Sequence, residues 1–361
     1  METGIDSGAD GTVGGSTGEA ATDTDTDLWL DRFARLFGFG WLAERVPGDL
    51  PPSYLYAVVT IVLSNALTIS YNLLNGVPLI YRENPYFALQ PFLLFAAVYG
   101  ARSLHREYDT VMTEMAVEAR ADDPELLLDP VPTWLPWALF AVGAPLQLGR
   151  AVLDMGAFGV TDMIANFVLF PFVFLPIVVQ FFTVYVSIEF LAPWRLARST
   201  VGIHFLDPQG VGGLRPLGEL IKKAYYYIVV GLVGYALITY APFVDSTWTV
   251  SAAAGVIFTA IWVLTVGTVA FAVFTLHRFM HREKRAEIRR LEARLREYIE
   301  NPWDVKAYEI PADCREEVED LRERIDRVNA TSEYPATFSI WSQLLLSIAL
   351  PKALQLLIAN A

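Results

Sequence analysis

The sequence predicts an all-α polytopic membrane bundle of seven transmembrane helices, N-terminus inside, with a cytoplasmic helical-hairpin stalk. Three observations carry this expectation. Hydrophobic residues make up 54% of the 361-residue chain, yet the formal net charge is −13. Mean hydropathy is +0.37, above that of an ordinary soluble protein, so charge and apolarity must be segregated along the chain. Third, the stretch from Thr249 to Ile299 changes character without a proline or glycine at the change. Its first half, Val250 to Leu276, carries no charge, and its second half, His277 to Glu300, is among the most charged segments of the sequence. One helix of roughly fifty residues, ~75 Å long, would leave a ~30 Å hydrocarbon layer and continue into water.

Composition sets further bounds. The lysines are Lys222, Lys223, Lys284, Lys306 and Lys352, against 27 lysines and arginines together. An acidic, arginine-over-lysine chain is of the haloarchaeal kind, in which salt screens the self-repulsion of an acidic surface. The single Cys314 excludes an intramolecular disulfide and a cysteine-rich metal site. No strongly basic domain is present, so nucleic acid is not an expected partner. No cofactor or metal is implied.

The elements follow in order. Residues 1–26 are rich in Gly, Ser, Thr and Asp and contain no Lys or Arg, which predicts a disordered acidic tail. Residues 27–52 hold a helix in which Leu28, Trp29, Phe33, Leu36, Phe37 and Trp41 share a face, followed by a proline-rich linker. That helix either lies in the membrane interface or packs on the protein's own cytoplasmic face. Residues 53–276 form six spans: Tyr54–Leu74, Pro85–Leu104, Trp134–Leu153, Met163–Leu191 with Pro171 and Pro176 as kinks, Ala224–Tyr240, and the apolar half of the long helix. Residues 277–336 are the stalk. Asn301-Pro302 stops the long helix, and Ala312–Val328 is a second soluble helix. Residues 337–361 contain a last apolar segment, Ser339–Ile358, which either spans or lies at the interface.

Basic residues set the orientation. The turns after spans one, three and five hold few, while the segments after spans two, four and six hold Arg106, Arg120, Arg195, Arg198, Arg215 and the arginine-rich stalk. That side is cytoplasmic, in a multi-pass protein of the cell membrane.

Candidate functional residues fall into five groups. Ile288, Leu291, Leu295 and Ile299 step by three or four, as do Val318, Leu321, Ile325 and Val328. Such narrow seams either seal a hairpin within one subunit or anchor an oligomer. His277 and His281 share a helix face at metal-ligand spacing, without matching carboxylates or cysteines nearby in sequence. The loop Asp207 to Glu219 is Gly-rich but lacks a P-loop ending, so a tight turn is favoured over an anion site. Within the spans, Asn65, Asn72, Gln90, Gln147, Asn166 and Gln180 suit interhelical hydrogen bonds, and Glu189 lies near a cytoplasmic end. In the last segment Ser342, Gln343, Ser347, Lys352 and Gln355 make a polar stripe that can line a pore at a symmetry axis. No hydrolase, metalloprotease or nucleotide-binding motif is present, so an enzyme is not expected.

The order of amphipathic helix, six spans, long sixth helix, folded-back soluble helix and final span resembles the seven-transmembrane ion-channel superfamily of insect odorant and gustatory receptors. The likeness rests on topology and lengths, with no motif matched residue by residue. It implies a homotetramer held by the helix extensions and a pore lined by the last helix. The expected function is an oligomeric ion channel or channel-like sensor of unidentified ligand. A non-conducting scaffold or sensor whose stalk binds a partner, or a small-solute transporter, are the alternatives.

Overall fold

The computed structural model describes residues 27–157, 159–240, 252–299, 310, 312–334, 349–350 and 352–353. Among these the fold is helical, with no strand. Eight elements carry it: α1 (Trp29–Leu36), α2 (Pro52–Leu74), α3 (Leu89–Glu114), α4 (Leu135–Asp154), the long run α5 (Ala165–Leu196), α6 (Arg215–Tyr240), α7 (Ala252–Tyr298) and α8 (Arg315–Ala330). Five helices, α2, α3, α5, α6 and α7, are long and apolar enough to cross a membrane, which marks an integral membrane protein. Their outer faces carry side chains that a soluble protein would bury: Phe92 on α3 is 72% exposed and Val256 on α7 is 69% exposed.

The helices α2 to α7 run alternately up and down, and named contacts tie their ends. At the basic end, Lys223 at the start of α6 pairs with Glu107 late in α3. Arg195 at the end of α5 donates to the carbonyls of Leu126 (2.7 Å) and Asp129 (2.6 Å) in the α3–α4 connection. Arg282 of α7 donates to the Ala197 carbonyl just past α5 (3.0 Å). At the opposite end, Asn84 donates to the Ile238 carbonyl of α6 (2.7 Å), and Gln147 of α4 donates to Asn166 of α5 (3.1 Å). Where α3 crosses α6, Gly234 leaves room for Leu93. A Cβ there would lie 2.4 Å from Leu93 Cδ1, so the two helices approach as closely as they do only over a glycine.

The run α5 passes through three prolines without ending. Proline offers no N–H to the carbonyl four residues back, so an uninterrupted α-ladder is impossible at each. The chain answers by widening. Ala165–Phe174 and Ser187–Leu191 are π-helical, with Leu175 N–H bonding the Phe170 carbonyl and Ala192 N–H bonding the Ser187 carbonyl. The Phe172 carbonyl, released by Pro176, accepts the Tyr56 hydroxyl of α2. Pro171 and Pro176 are therefore absorbed by π turns, and the helix continues through Pro193 to Leu196, five residues past the expected end.

Other boundaries also extend. Helix α3 continues to Glu114 because His105, Tyr108, Val111 and Met112 are buried against α5 and α6, so the polar segment after the apolar run still has a core face. Helix α6 starts at Arg215 rather than Ala224, since Leu217, Leu220 and Ile221 join the same core. Helix α1 packs on the bundle. Trp29, Leu30, Phe33 and Ala34 are buried with Tyr56, Val98 and Ile177, and the Leu30 N–H bonds Gln180 of α5 (2.9 Å).

Helices α7 and α8 form an antiparallel pair. Leu291, Leu321 and Val328 are buried together, with Ile288, Leu295 and Ile325 half-buried around them and Phe205 closing one end. Val318 and Ile299 are buried as well. The two seams thus close on each other within one chain.

Candidate functional site

Glu189 stands apart from the other acids among the described residues. It is 0% exposed, and neither carboxyl oxygen has a hydrogen-bond partner among the described residues. It sits on the π turn Ser187–Leu191, four residues before Pro193, and such widened turns concentrate at functional positions. Its surroundings come from three elements. Tyr185, one turn earlier on α5, and Tyr225 on α6 both lie within range of its charge. The Tyr185 hydroxyl shares a hydrogen bond with Thr268 Oγ1 on α7 (2.9 Å), so α5 and α7 are joined one turn from the carboxyl. Ser187, also on the π turn, is buried, and its hydroxyl has no partner among the described residues. An unpaired carboxylate inside a membrane bundle costs several kcal/mol, about as much as a whole domain can spare. The group calls for a proton or a cation as its partner.

Below the bundle, three sequence-predicted features meet in one junction. His277 and His281 both turn their Nδ1 atoms to Glu333. His277 Nδ1 lies 2.9 Å from the Glu333 carbonyl oxygen, and His281 Nδ1 lies 2.9 Å from the Glu333 carboxylate. The Tyr334 ring stacks on His277 at 4.4 Å. Lys284 donates to the carbonyls of Asn329 and Thr331, both at 2.8 Å, closing off the end of α8. Burial pushes the Glu333 carboxyl up, but the hydrogen bond and charge of His281, with the charges of Lys284 and His277, hold it below the usual carboxylate range. Among the described residues no cluster of three or more His, Cys, Asp or Glu is arranged to hold a metal.

The Gly-rich loop supplies its own anion. Asp207 accepts from the backbone N–H groups of Gln209 (2.9 Å), Val211 (3.1 Å) and Gly213 (2.9 Å). The nest that a phosphate would need is thereby filled. Burial acts upward on Asp207, and these three amides with nearby His204 bring its carboxyl below the ordinary value. The loop also docks on the hairpin, since Ser332 N–H bonds the Gly210 carbonyl at 2.7 Å.

Of the predicted polar stripe, Ser342, Gln343, Ser347 and Gln355 lie outside the described residues. Lys352 is described: its Nζ donates to Thr259 Oγ1 of α7 (3.2 Å) and lies 5.9 Å from the Phe258 ring. Glu333 was not singled out from the sequence, because it follows His281 by 52 residues and no local pattern links them. Comparison with protein-family models, with curated proteins and with solved structures returns no match.

Proposed function

We propose that this is an ion-conducting or ion-transporting membrane protein in which Glu189 binds the moving proton or monovalent cation. The observation that carries the reading is a wholly buried, unpartnered carboxyl on a π turn inside an apolar bundle. The full reading has seven spans with the N-terminus in the cytoplasm. Helix α4 falls outside the apolar set, but its 20 residues cover ~30 Å. Arg195 ties the end of α5 to the α3–α4 connection, and Gln147 late in α4 meets Asn166 early in α5, which supports reading α4 as the returning span. The likeness to the insect-receptor channel superfamily belongs to the same proposal. There Ser342, Gln343 and Ser347 would line a path at a homotetramer axis, and Lys352, turned toward Thr259, would lie at its edge.

The test is tracer cation flux and proton uptake in proteoliposomes at high salt, with Glu189→Gln and Ser347→Trp beside the wild type. Glu189→Gln keeps the shape and removes the charge; flux should fall at least about tenfold if the carboxyl is the binding group. Flux unchanged in Glu189→Gln would remove the carboxyl from the path. A block by Ser347→Trp alone would move the path to the last segment.

A second reading is a non-conducting sensor or scaffold, favoured by the junction in which two histidines, Lys284 and the Gly-rich loop all fasten the α7–α8 pair. Capture of a partner that depends on Glu333 would support it.

A further inference from the structure

A groove of about 890 Å³ opens between α7 and the end of α5 at the basic end of the bundle. Both walls change chemistry in the same direction. Phe190 and Trp194 lie one turn apart on α5, and Arg198, in the turn just past its end, sets its guanidinium 3.8 Å from the Trp194 ring. On α7, Phe271 and Phe274 give way to Arg278, Arg282, Arg285 and Arg289 along the same face. The upper rims touch, since Phe190 and Phe271 stack at 4.3 Å. Arg282 is fixed by the Ala197 carbonyl and by Glu283 (3.1 Å), so its charge is held at the groove. Arg198, Arg278, Arg285 and Arg289 have no carboxylate partner among the described residues, and Glu292 is the one acid in the lining.

We infer that this groove binds an anionic phospholipid, its phosphate among Arg278, Arg282 and Arg285 and its acyl chains along Phe271, Phe274 and Trp194. The orientation of a membrane protein asks only for positive charge on one side. It does not ask for a cavity between two helices whose walls both pass from aromatic to arginine at the same level. That gradient matches an amphiphile: aromatic rings favour the acyl–headgroup boundary, and guanidinium forks favour phosphate oxygens. A free phosphate would leave the aromatic half unused. The inference does not rest on the ion-handling reading, because Glu189 is wholly buried and takes no part in the groove's lining.

The full-length protein, reconstituted in phosphatidylcholine vesicles doped with brominated phosphatidylglycerol or brominated phosphatidylcholine, tests it by tryptophan quenching. Quenching that disappears in Trp194→Phe isolates the groove from the other tryptophans. Stronger quenching by the brominated anionic lipid is expected, with the preference reduced by about ten- to thirtyfold in Arg278→Gln/Arg285→Gln. Arg290→Gln removes a charge from the same helix outside the groove and should leave the preference intact. Equal quenching by both lipids, or an equal loss in Arg290→Gln, would overturn the inference. Displacement of the brominated lipid by millimolar inorganic phosphate would replace the lipid by a soluble phosphate. A Trp194 that neither lipid quenches, in a protein whose arginine variant dissociates into smaller oligomers, would assign the groove to a second copy of the chain.

Discussion

Asp31 and Arg102 meet at 2.6 Å with 2% and 4% of their side chains exposed, and they join the helix before the first span to the second span. The carboxylate is fully used, since it also accepts the backbone N–H groups of Leu28 (3.1 Å) and Ser53 (3.0 Å). This pair explains why an amphipathic helix with a membrane-like apolar face sits on the protein. Its apolar side fills the gap beside Tyr56 and Ile177, and its one buried acid finds a buried base.

Breaking that pair should be costly in a specific pattern. Asp31→Asn leaves a buried guanidinium without its counter-charge and should lower stability by about 3–5 kcal/mol. Asp31→Leu/Arg102→Met removes both charges and should cost clearly less than the sum of the single variants, though the two amides still lose their acceptor. Thermal unfolding in detergent at high salt reads the difference. Additive losses would mean that the charges do not support each other.

The junction at Glu333 should release in acid. Its carboxyl is held below the ordinary value in the folded protein, so its contribution is present in full above the unfolded value near 4.5 and is lost as pH falls through the folded value. Hydrogen exchange in residues 328–334 should rise on acidification below that point. In Glu333→Gln the same amides should exchange faster at neutral pH and respond less to acid. Protection that is identical in the two proteins at every pH would remove the histidine clamp.

Two glycines of the same loop should respond differently to alanine. Gly210 and Gly212 both have φ of +68°, which costs an L-residue about 1–2 kcal/mol. At Gly210 a Cβ meets nothing within 4 Å, whereas at Gly212 it would lie 2.4 Å from Ile203 Cγ2, with Met280 of α7 behind. Gly212→Ala should therefore destabilise by at least about 1 kcal/mol more than Gly210→Ala, the overpacking cost. Denaturation midpoints of the two variants decide the matter.

Pro193→Ala restores an N–H that can reach the Glu189 carbonyl. The turn at Ser187–Leu191 then has a reason to tighten to α-helical spacing, gaining the cost of an interior proline, up to about 3 kcal/mol. Tightening one π turn rotates the residues beyond it by about 100°. The expected result is a protein that is no less stable but carries less flux, since Glu189 is moved relative to Tyr225. Unchanged flux with raised stability would show that the widened turn does not place the carboxyl.

The long helix α7 was legible because nothing in fifty residues breaks a helix, and apolar and charged halves each keep helical spacing. The seams of the hairpin were legible for the same reason. The prolines of α5 were not, because a proline signals the loss of one hydrogen bond and is silent on whether the chain ends or widens. Glu189 was noted from the sequence only as an acid near a span's end; its isolation depends on Tyr185, Tyr225 and Thr268 from three helices. The histidine pair had the right spacing for a shared partner, but that partner follows a second helix and a turn. The Gly-rich loop had the composition of an anion site, and only the fold reveals that Asp207 occupies it.

Helix α7 is a rigid lever with two nearly equal arms. From Ala252 to His277 it runs ~38 Å through the bundle, and from His277 to Tyr298 a further ~32 Å beyond it. The pivot lies where Arg282 grips Ala197 and His277 grips Glu333. With arms so alike, a sideways push at the far tip is returned inside the membrane at about the same size and in the opposite direction. A swing of ~5° moves each end by roughly 3 Å, the length of one hydrogen bond.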